Sequence, residues 1–278
     1  MSLGPDETGE IHLGTPTEWA ATVVGHHRLR HDIAVIRLIG EYVPFMAGQS
    51  VQVQLPQHPG LYRRLSPALA PSMDGKLEFH VRTVPGGWCS GSIVADTHPG
   101  DEWRITDPAY WGWRADGACG VGGVGRHMLA VDDHATDVVM LAGGTGLAPL
   151  RSLLLELSRR PTPPRTHLFI GGRFPRDLYA SDMLYLLTGE LPWLTVIPVV
   201  ESPLDPDWAD PWYESCRVEV GFEPDEMLEG TLADVVGEMG PLLNHQVLVC
   251  GSPGMTRATI DRLIQTGTPA EAIRYEGI

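Results

Sequence analysis

The chain has few cysteines, no long apolar run and little positive charge, and each shortage excludes a class of chemistry. Its four cysteines, Cys89, Cys119, Cys216 and Cys250, lie far apart in 278 residues with no C-x-x-C pair. Such spacing offers no iron–sulfur or zinc framework, so any electron carrier is organic or sits elsewhere. His26, His27 and His31 have no second cluster beside them and read as solvated strand and turn histidines, so no metal site is expected. No stretch reaches the 18 or more apolar residues that cross a bilayer, and the opening MSLGPDETGEIHLG lacks the basic and apolar regions of a signal peptide. A soluble, cytoplasmic protein is the expectation. Lys and Arg total 20 against 35 Asp and Glu, a net charge of -15, which argues against a nucleic-acid or anionic-membrane surface. No internal repeat is evident. What remains is a chain 43% hydrophobic, long enough for two ordinary cores.

The most informative segment is DVVMLAGGTGLAPL, residues 137–150. A short apolar strand runs into a glycine turn and then a helix, expected to begin at Pro149. Gly143, Gly144 and Gly146 allow close backbone approach, and the helix start offers unpaired N–H groups and the positive end of a dipole. This is a cradle for a nucleotide diphosphate. Leu150, Leu153, Leu154 and Leu157 recur at helical spacing and should face a sheet, with Arg159 and Arg160 complementing the C-terminal end. The turn lacks the third glycine of the ordinary dinucleotide fingerprint.

The organisation changes near residue 110. Before it, segments 19–24, 33–39, 50–55 and 77–84 are short and rich in β-branched residues; VQVQL and LEFHV alternate, directing Val51, Val53, Leu55 and then Leu77, Phe79, Val81 inward. Strands of this kind with Pro and Gly turns form an antiparallel barrel. After about residue 135, candidate strands 137–141, 166–170, 194–200, 246–250 and 272–276 alternate with helical segments, the pattern of a doubly wound α/β parallel sheet. Ligands of such sheets lie beyond the strand carboxyl ends, so Gly143–Ala148 and Cys250–Pro253 should meet in one cleft. The expected division is a tail at 1–16, a barrel domain at 17–110, a Gly-rich linker or insertion at 111–135 and an α/β domain at 136–278. Glycines within 109–135 also suggest a second nucleotide loop, although no apolar strand precedes them. Between Glu201 and Glu229 ten acidic residues stand against Arg217 alone, as a solvated insertion or a docking patch.

Placed in order, these motifs resemble the ferredoxin-NADP reductase superfamily over about residues 17–278, in the style of the reductase halves of bacterial flavohaemoglobins and of multicomponent oxygenase reductases. Arg63-Arg64-Leu65-Ser66 resembles the R-x-Y-S/T flavin motif, placed just after a barrel strand. The resemblance implies that Arg63 neutralises the FAD diphosphate, Leu65 stands where an aromatic covers the isoalloxazine, and Ser66 bonds near flavin N5. FHVRTVPGGWCSGSI is similar to the segment in which a strand leads through Gly-Gly to a short helix. It places Val81, Arg82 and Gly87 by the cofactor, Arg82 close to the diphosphate and Ser90 as helix cap, with the N–H groups of Trp88, Cys89 and Ser90 facing phosphate oxygens. The turn from Gly144 through Thr145, Gly146, Leu147 and Ala148 to Pro149 takes the pyridine nucleotide. Gly171-Gly172-Arg173 and Asp177-Leu178 fit a G-x-R-x-x-x-D-L segment, implying that Arg173, Asp177 and Arg176 lie near its adenosine end. Cys250-Gly251-Ser252-Pro253-Gly254-Met255 resembles the C-G-P-x-x-M turn that holds nicotinamide, with Ser252 in a variable position. Tyr275-Glu276-Gly277-Ile278 matches an ending in which a Glu precedes an aromatic; Glu276 agrees and Ile278 replaces the aromatic.

The resemblance thus implies an FAD-dependent NAD(P)H oxidoreductase, with hydride passing from NADH or NADPH to FAD and electrons leaving to a separate haem or iron–sulfur protein. Ser66, Cys250 and Glu276 would shape the reacting region. Because Leu65 and Ile278 are both aliphatic, either aliphatic packing suffices, or the flavin is held loosely, or Trp88, Tyr62 or the tryptophans near 111 substitute. A partner-dependent electron-transfer subunit and a nucleotide-binding module without flavin remain the alternatives.

Overall fold

The computed structural model describes residues 17–106, 129–204 and 227–276. The calls on the tail, the tryptophans near 111, the glycines before 129, most of the acidic stretch and Ile278 lie outside the described residues. Strands β1 (Glu18–Arg30), β2 (Ile33–Gly40), β3 (Val51–Gln54), β4 (Tyr62–Leu65), β5 (Lys76–Arg82) and β6 (Glu102–Thr106) form one antiparallel sheet in the order β4-β3-β6-β1-β2-β5. A bridge between Pro67 and Phe79 brings the chain after β4 against β5, so the two edges meet and the sheet curls into a barrel. Inward-facing Val51, Val53, Leu77, Phe79, Val81, Trp103 and Ile105 fill it, and helix α1 (Trp88–Asp96) closes one end with Cys89, Ile93 and Val94. Two of these strands are additions to the sequence reading. RRLS belongs to β4 as far as Leu65 instead of following a strand, because Tyr62-Arg-Arg-Leu carries too little apolar signal to be recognised; β6 hides a Trp103/Ile105 alternation in five residues.

The second sheet has the order β10-β9-β8-β7-β11-β12, parallel throughout, from β7 (Asp137–Gly143), β8 (Arg165–Gly172), β9 (Leu194–Val200), β10 (Leu228–Glu229), β11 (Gln246–Cys250) and β12 (Ile273–Glu276). Helices α2 (Leu147–Leu157) and α3 (Ser181–Glu190) cover one face; α4 (Leu232–Glu238) and α5 (Pro253–Gln265) cover the other. Leu150, Leu153, Leu154 and Leu157 are all buried. Arg159 and Arg160 do not cap that helix: Arg159 Nη1 donates to Pro71 O and Arg160 to Val131 O and Asp132 O, tying α2 to neighbouring loops. Leu129 and Val131 sit in the α/β core, and Arg274 and Gln246 both donate to Ala130 O. The last residues of the expected linker therefore belong to the second domain's packing.

The two domains meet through buried polarity that alternation alone concealed. On β5 the residues between Leu77, Phe79 and Val81 should face water; instead Glu78 and His80 face the α/β domain, their side chains 7% and 4% exposed. Glu78 accepts from Arg37 Nε at 2.7 Å, Arg151 Nη1 at 2.8 Å and His80 Nε2 at 3.1 Å. An ionised carboxylate only accepts, so His80 Nε2 carries the proton and Nδ1 accepts from the Tyr179 hydroxyl at 2.8 Å. Arg151 also donates to Ala68 O, and Ser152 Oγ to Leu69 O. Burial pushes the Glu78 carboxyl up, but hydrogen bonds from His80 and Arg37 and the Arg151 charge outweigh it and bring it to about 2.

A depressed carboxylate contributes stability above its unfolded value, 4.5, that is lost as pH falls through about 2. We therefore expect wild-type stability to decline between those values and Glu78→Gln to lack that decline. At neutral pH, Arg151→Ala should lower unfolding free energy by about 3–5 kcal/mol, because it strands a buried carboxylate. Denaturant titrations across pH check both; equal pH dependence in wild type and Glu78→Gln would contradict the assignment.

Candidate functional site

The sheet order reverses between β7 and β11, the place beyond whose strand ends such sheets bind ligands. A 3₁₀ turn, Gly144–Gly146, follows β7, and α2 starts at Leu147, two residues earlier than the sequence suggested. Pro149 is thus in the first helical turn, where a missing N–H is harmless. Leu147, Ala148 and Pro149 are buried, so this stretch offers a ligand mainly its backbone. Gly144 has φ +51, and a Cβ there would meet only Arg82 Nη1, at 3.8 Å. Gly146 is required for a different reason. Its Cβ would collide with the Cys250 carbonyl and lie 2.7 Å from Gly251 N. The two turns do meet, so tightly that they form one wall. Met255 fills the space between Gly143 and Gly251, and Ser252 Oγ accepts from Met255 N as the N-cap of α5. That role for Ser252 was not read from the sequence.

Cys250 and Glu276 are register partners on β11 and β12. Cys250 is 5% exposed, and burial, with Glu276 beside it, pushes its thiol well up. The Glu276 carboxylate leaves its own domain: Ser66 Oγ donates to it at 3.2 Å and Arg64 Nη2 lies 3.4 Å away. Arg64 Nε donates to Ser50 Oγ at 3.0 Å. Burial raises the Glu276 carboxyl, and the Arg64 charge with hydrogen bonds from Ser66 and Ser50 works against the rise. The period of β4 explains the division. Arg64 and Ser66 share one face and reach Glu276, whereas Arg63 and Leu65 share the other. Leu65 packs against the barrel core.

On that other face Arg63 lies beside the start of α1. Its Cζ stands 4.7 Å from the centre of the Trp88 ring, and Nη1 donates to Tyr62 O. The N-cap of α1 is Gly87, with no side-chain cap and no acidic residue in the first turn. Ser90 is not the cap. It sits a turn inside, where its Oγ accepts from Val84 N and donates to Gly87 O. Among the described residues no acceptor meets the N–H groups of Trp88, Cys89 and Ser90, so an anion there would find three donors, a dipole end and a guanidinium. Cys89 and Val81 place their side chains in the barrel core.

Arg82 lies at the domain seam, with Nε donating to Asp32 at 2.8 Å and Nη2 3.5 Å from Asp177. Arg30 pairs with Asp177 at 2.9 Å and also approaches Asp32. The four charges neutralise one another beside Gly144, so Arg82 borders the glycine turn of the α/β domain as well as its own barrel. Asp177 is likewise engaged: Oδ2 accepts from Arg173 N and Phe174 N, shaping the loop after β8. Its side chain holds the loop, while Arg173 stays exposed at the mouth. A small recess lies between Gly144, Leu147, Gly171, Asp177 and Tyr179, at the ends of β7 and β8.

The Gly146 contact generates a sharp expectation. Even Gly146→Ala should separate the two turns, because the new methyl meets a backbone carbonyl, which cannot move aside as a flexible side chain can. Alkylation of Cys250, followed by mass spectrometry of its peptide, should accelerate at least several-fold; an unchanged rate would mean that the turns are not held in contact.

The family model described as an oxidoreductase FAD-binding domain matches residues 20–110, and that of an oxidoreductase NAD-binding domain matches 140–261. The chain is 29% identical over 216 residues to the reductase component of propane 2-monooxygenase from Rhodococcus jostii, covering 77% of this chain and 50% of the relative. It is 28% identical over 281 residues to the electron transfer component of xylene/toluene monooxygenase from Pseudomonas putida, covering 97% and 70%. Among these relatives the chain thus spans 50% to 70% of the partner's length. The fold matches a ferredoxin reductase in carbazole 1,9a-dioxygenase with TM-score 0.70, at 23% identity and covering 96% and 71% of the two chains. It also matches a Neisseria gonorrhoeae ferredoxin NADP+ reductase with bound FAD and NADP, TM-score 0.64 at 18% identity, covering 95% and 99%. No described helix is long and apolar enough to cross a membrane. With an antiparallel barrel that matches the FAD-binding model followed by a parallel α/β domain that matches the NAD-binding model, this chain belongs to the ferredoxin-NADP reductase-like superfamily.

Proposed function

We propose that the protein is an FAD-dependent NAD(P)H oxidoreductase that passes electrons to a separate haem or iron–sulfur protein. The observation that carries this reading is the hydrogen bond from Ser66 on the barrel to Glu276 on the terminal strand, which joins the two cradles at one point. The relatives named as reductase or electron transfer components of monooxygenases support the same reading. The residues present fit FAD. Arg63 and the uncapped start of α1 would take the diphosphate, and Ser66 and Leu65 would border the isoalloxazine. Bound FAD would supply the redox chemistry, accepting two electrons together from NAD(P)H and returning them singly. The chain's own part is positioning. The turn Gly144, Thr145, Gly146 and the α2 N-terminus would hold the pyridine nucleotide diphosphate, and Arg173 would approach its adenosine end. Met255 and Gly251 back the wall against which the nicotinamide would rest, and buried Cys250 and half-buried Glu276 would limit water beside it. Either NADH or NADPH suits the exposed Arg173. We also propose the cytoplasm as location, and a barrel domain near 17–110 followed by an α/β domain that begins by about residue 129, since Leu129 and Val131 lie in its core.

The purified protein should carry about one FAD per chain and bleach on adding NADH or NADPH. Arg63→Ala should weaken FAD by about tenfold to hundredfold, the effect of losing a charge-assisted hydrogen bond, while the α/β domain keeps its fold. A colourless protein that apoprotein titration cannot load with FAD would overturn the reading. Arg64→Gln removes the cation that opposes the rise of Glu276, so Glu276 should stay protonated to higher pH. The carboxyl-dependent limb of stopped-flow reduction by NADH should shift upward in pH; a limb in the same place would show that Glu276 does not govern it.

A further inference from the structure

Trp88 opens α1, yet 44% of it stays exposed while Cys89, Ile93 and Val94 make the helix's contacts with the barrel core. It is held from two sides all the same. The His58 ring meets it edge-on, with centroids 4.4 Å apart and planes at 70°, and the Arg63 guanidinium lies over it at 4.7 Å. His58 is itself fixed, by a 2.8 Å hydrogen bond between Nε2 and Ser92 Oγ one turn further along α1. Ser92, His58, Trp88 and Arg63 thus form a chain of contacts ending in a cation. Among the described residues no carboxylate pairs with Arg63, whereas Arg30, Arg37, Arg82 and Arg151 all have one. An arginine with no carboxylate partner next to three unmet N–H groups is arranged for an anion that arrives from outside.

The geometry points to Trp88 as the positioning residue of the FAD diphosphate site: its ring holds the Arg63 guanidinium at the α1 N-terminus, with His58 locking the ring. This rests on the flavoenzyme reading above. A free arginine side chain loses rotamer freedom when it engages a phosphate; one already stacked on an indole loses less. The device also answers the departure at Leu65. That residue shares the Arg63 face of β4 but packs into the barrel, so the aromatic surface on this side comes from α1 instead.

The test titrates apoprotein with FAD in wild type, Trp88→Phe, Trp88→Ala, Arg63→Ala and the Trp88→Ala/Arg63→Ala double variant. Trp88→Ala should weaken FAD about fivefold to tenfold, the range of a partly desolvated cation–π contact, and Trp88→Phe should recover most of it. Since Trp88 acts through Arg63, the double variant should bind little worse than Arg63→Ala alone. His58→Ala, which leaves the indole in place but unlocked, should show a smaller loss of about twofold to threefold. Unchanged affinity in Trp88→Ala would overturn the proposal. So would a loss that adds fully to that of Arg63→Ala, because the ring would then contact the cofactor independently. If wild-type apoprotein binds no FAD, the flavoenzyme reading itself fails; if wild type binds and Trp88 is silent, only the positioning role does.

Discussion

The carboxylate of Glu78 is the constraint on which the arrangement of the domains depends. It is buried at the seam and receives donors from both sides, Arg37 and His80 from the barrel and Arg151 from α2. A buried charge is tolerated only with such partners, and removing one is far more harmful than never having had the pair. Hydrophobic contact would permit the domains to slide; a carboxylate that requires three donors at about 3 Å allows one alignment. That alignment sets α2, and therefore the glycine turn at its start, against the barrel edge.

Several polar contacts lie along the same seam. The Ser66–Glu276 bond, the Arg30/Asp32/Arg82/Asp177 quartet and the His80–Tyr179 bond all cross it. The quartet consists of alternating opposite charges, which neutralise one another while leaving Gly144 open beside Arg82. Under the proposed function, two bound cofactors would need their reacting atoms held at fixed separation, and polar contacts across the seam would supply that rigidity.

The strand β4 shows how a four-residue motif serves two domains. Period-two alternation sends Arg63 toward Trp88 and the α1 N-terminus, and sends Arg64 and Ser66 toward Glu276. Substitution of Leu for the usual aromatic leaves this division intact, because it follows from the backbone and not from the identity of the third residue.

Much was written locally and could be read locally. The strand–glycine–helix cradle, the two sheet types and the convergence of the β7 and β11 turns follow from hydrophobic period, glycine placement and the rule that parallel sheets bind ligands at their carboxyl ends. The stripe Leu150, Leu153, Leu154 and Leu157 identified the buried face of α2 because helical spacing leaves no other choice. Tertiary structure alone decided what lies across a domain boundary. Glu78 and His80 obey a solvent-facing alternation, yet the face they occupy is covered by a second domain 70 residues or more further along the chain, which no local period encodes. Arg82 and Asp177 matched cofactor positions by spacing, but the pairing of opposite charges brought together by folding engaged both. Gly146 was recognised as a close-approach glycine, while the identity of what approaches it, the Cys250 carbonyl, depended on the register of two strands separated by more than 100 residues.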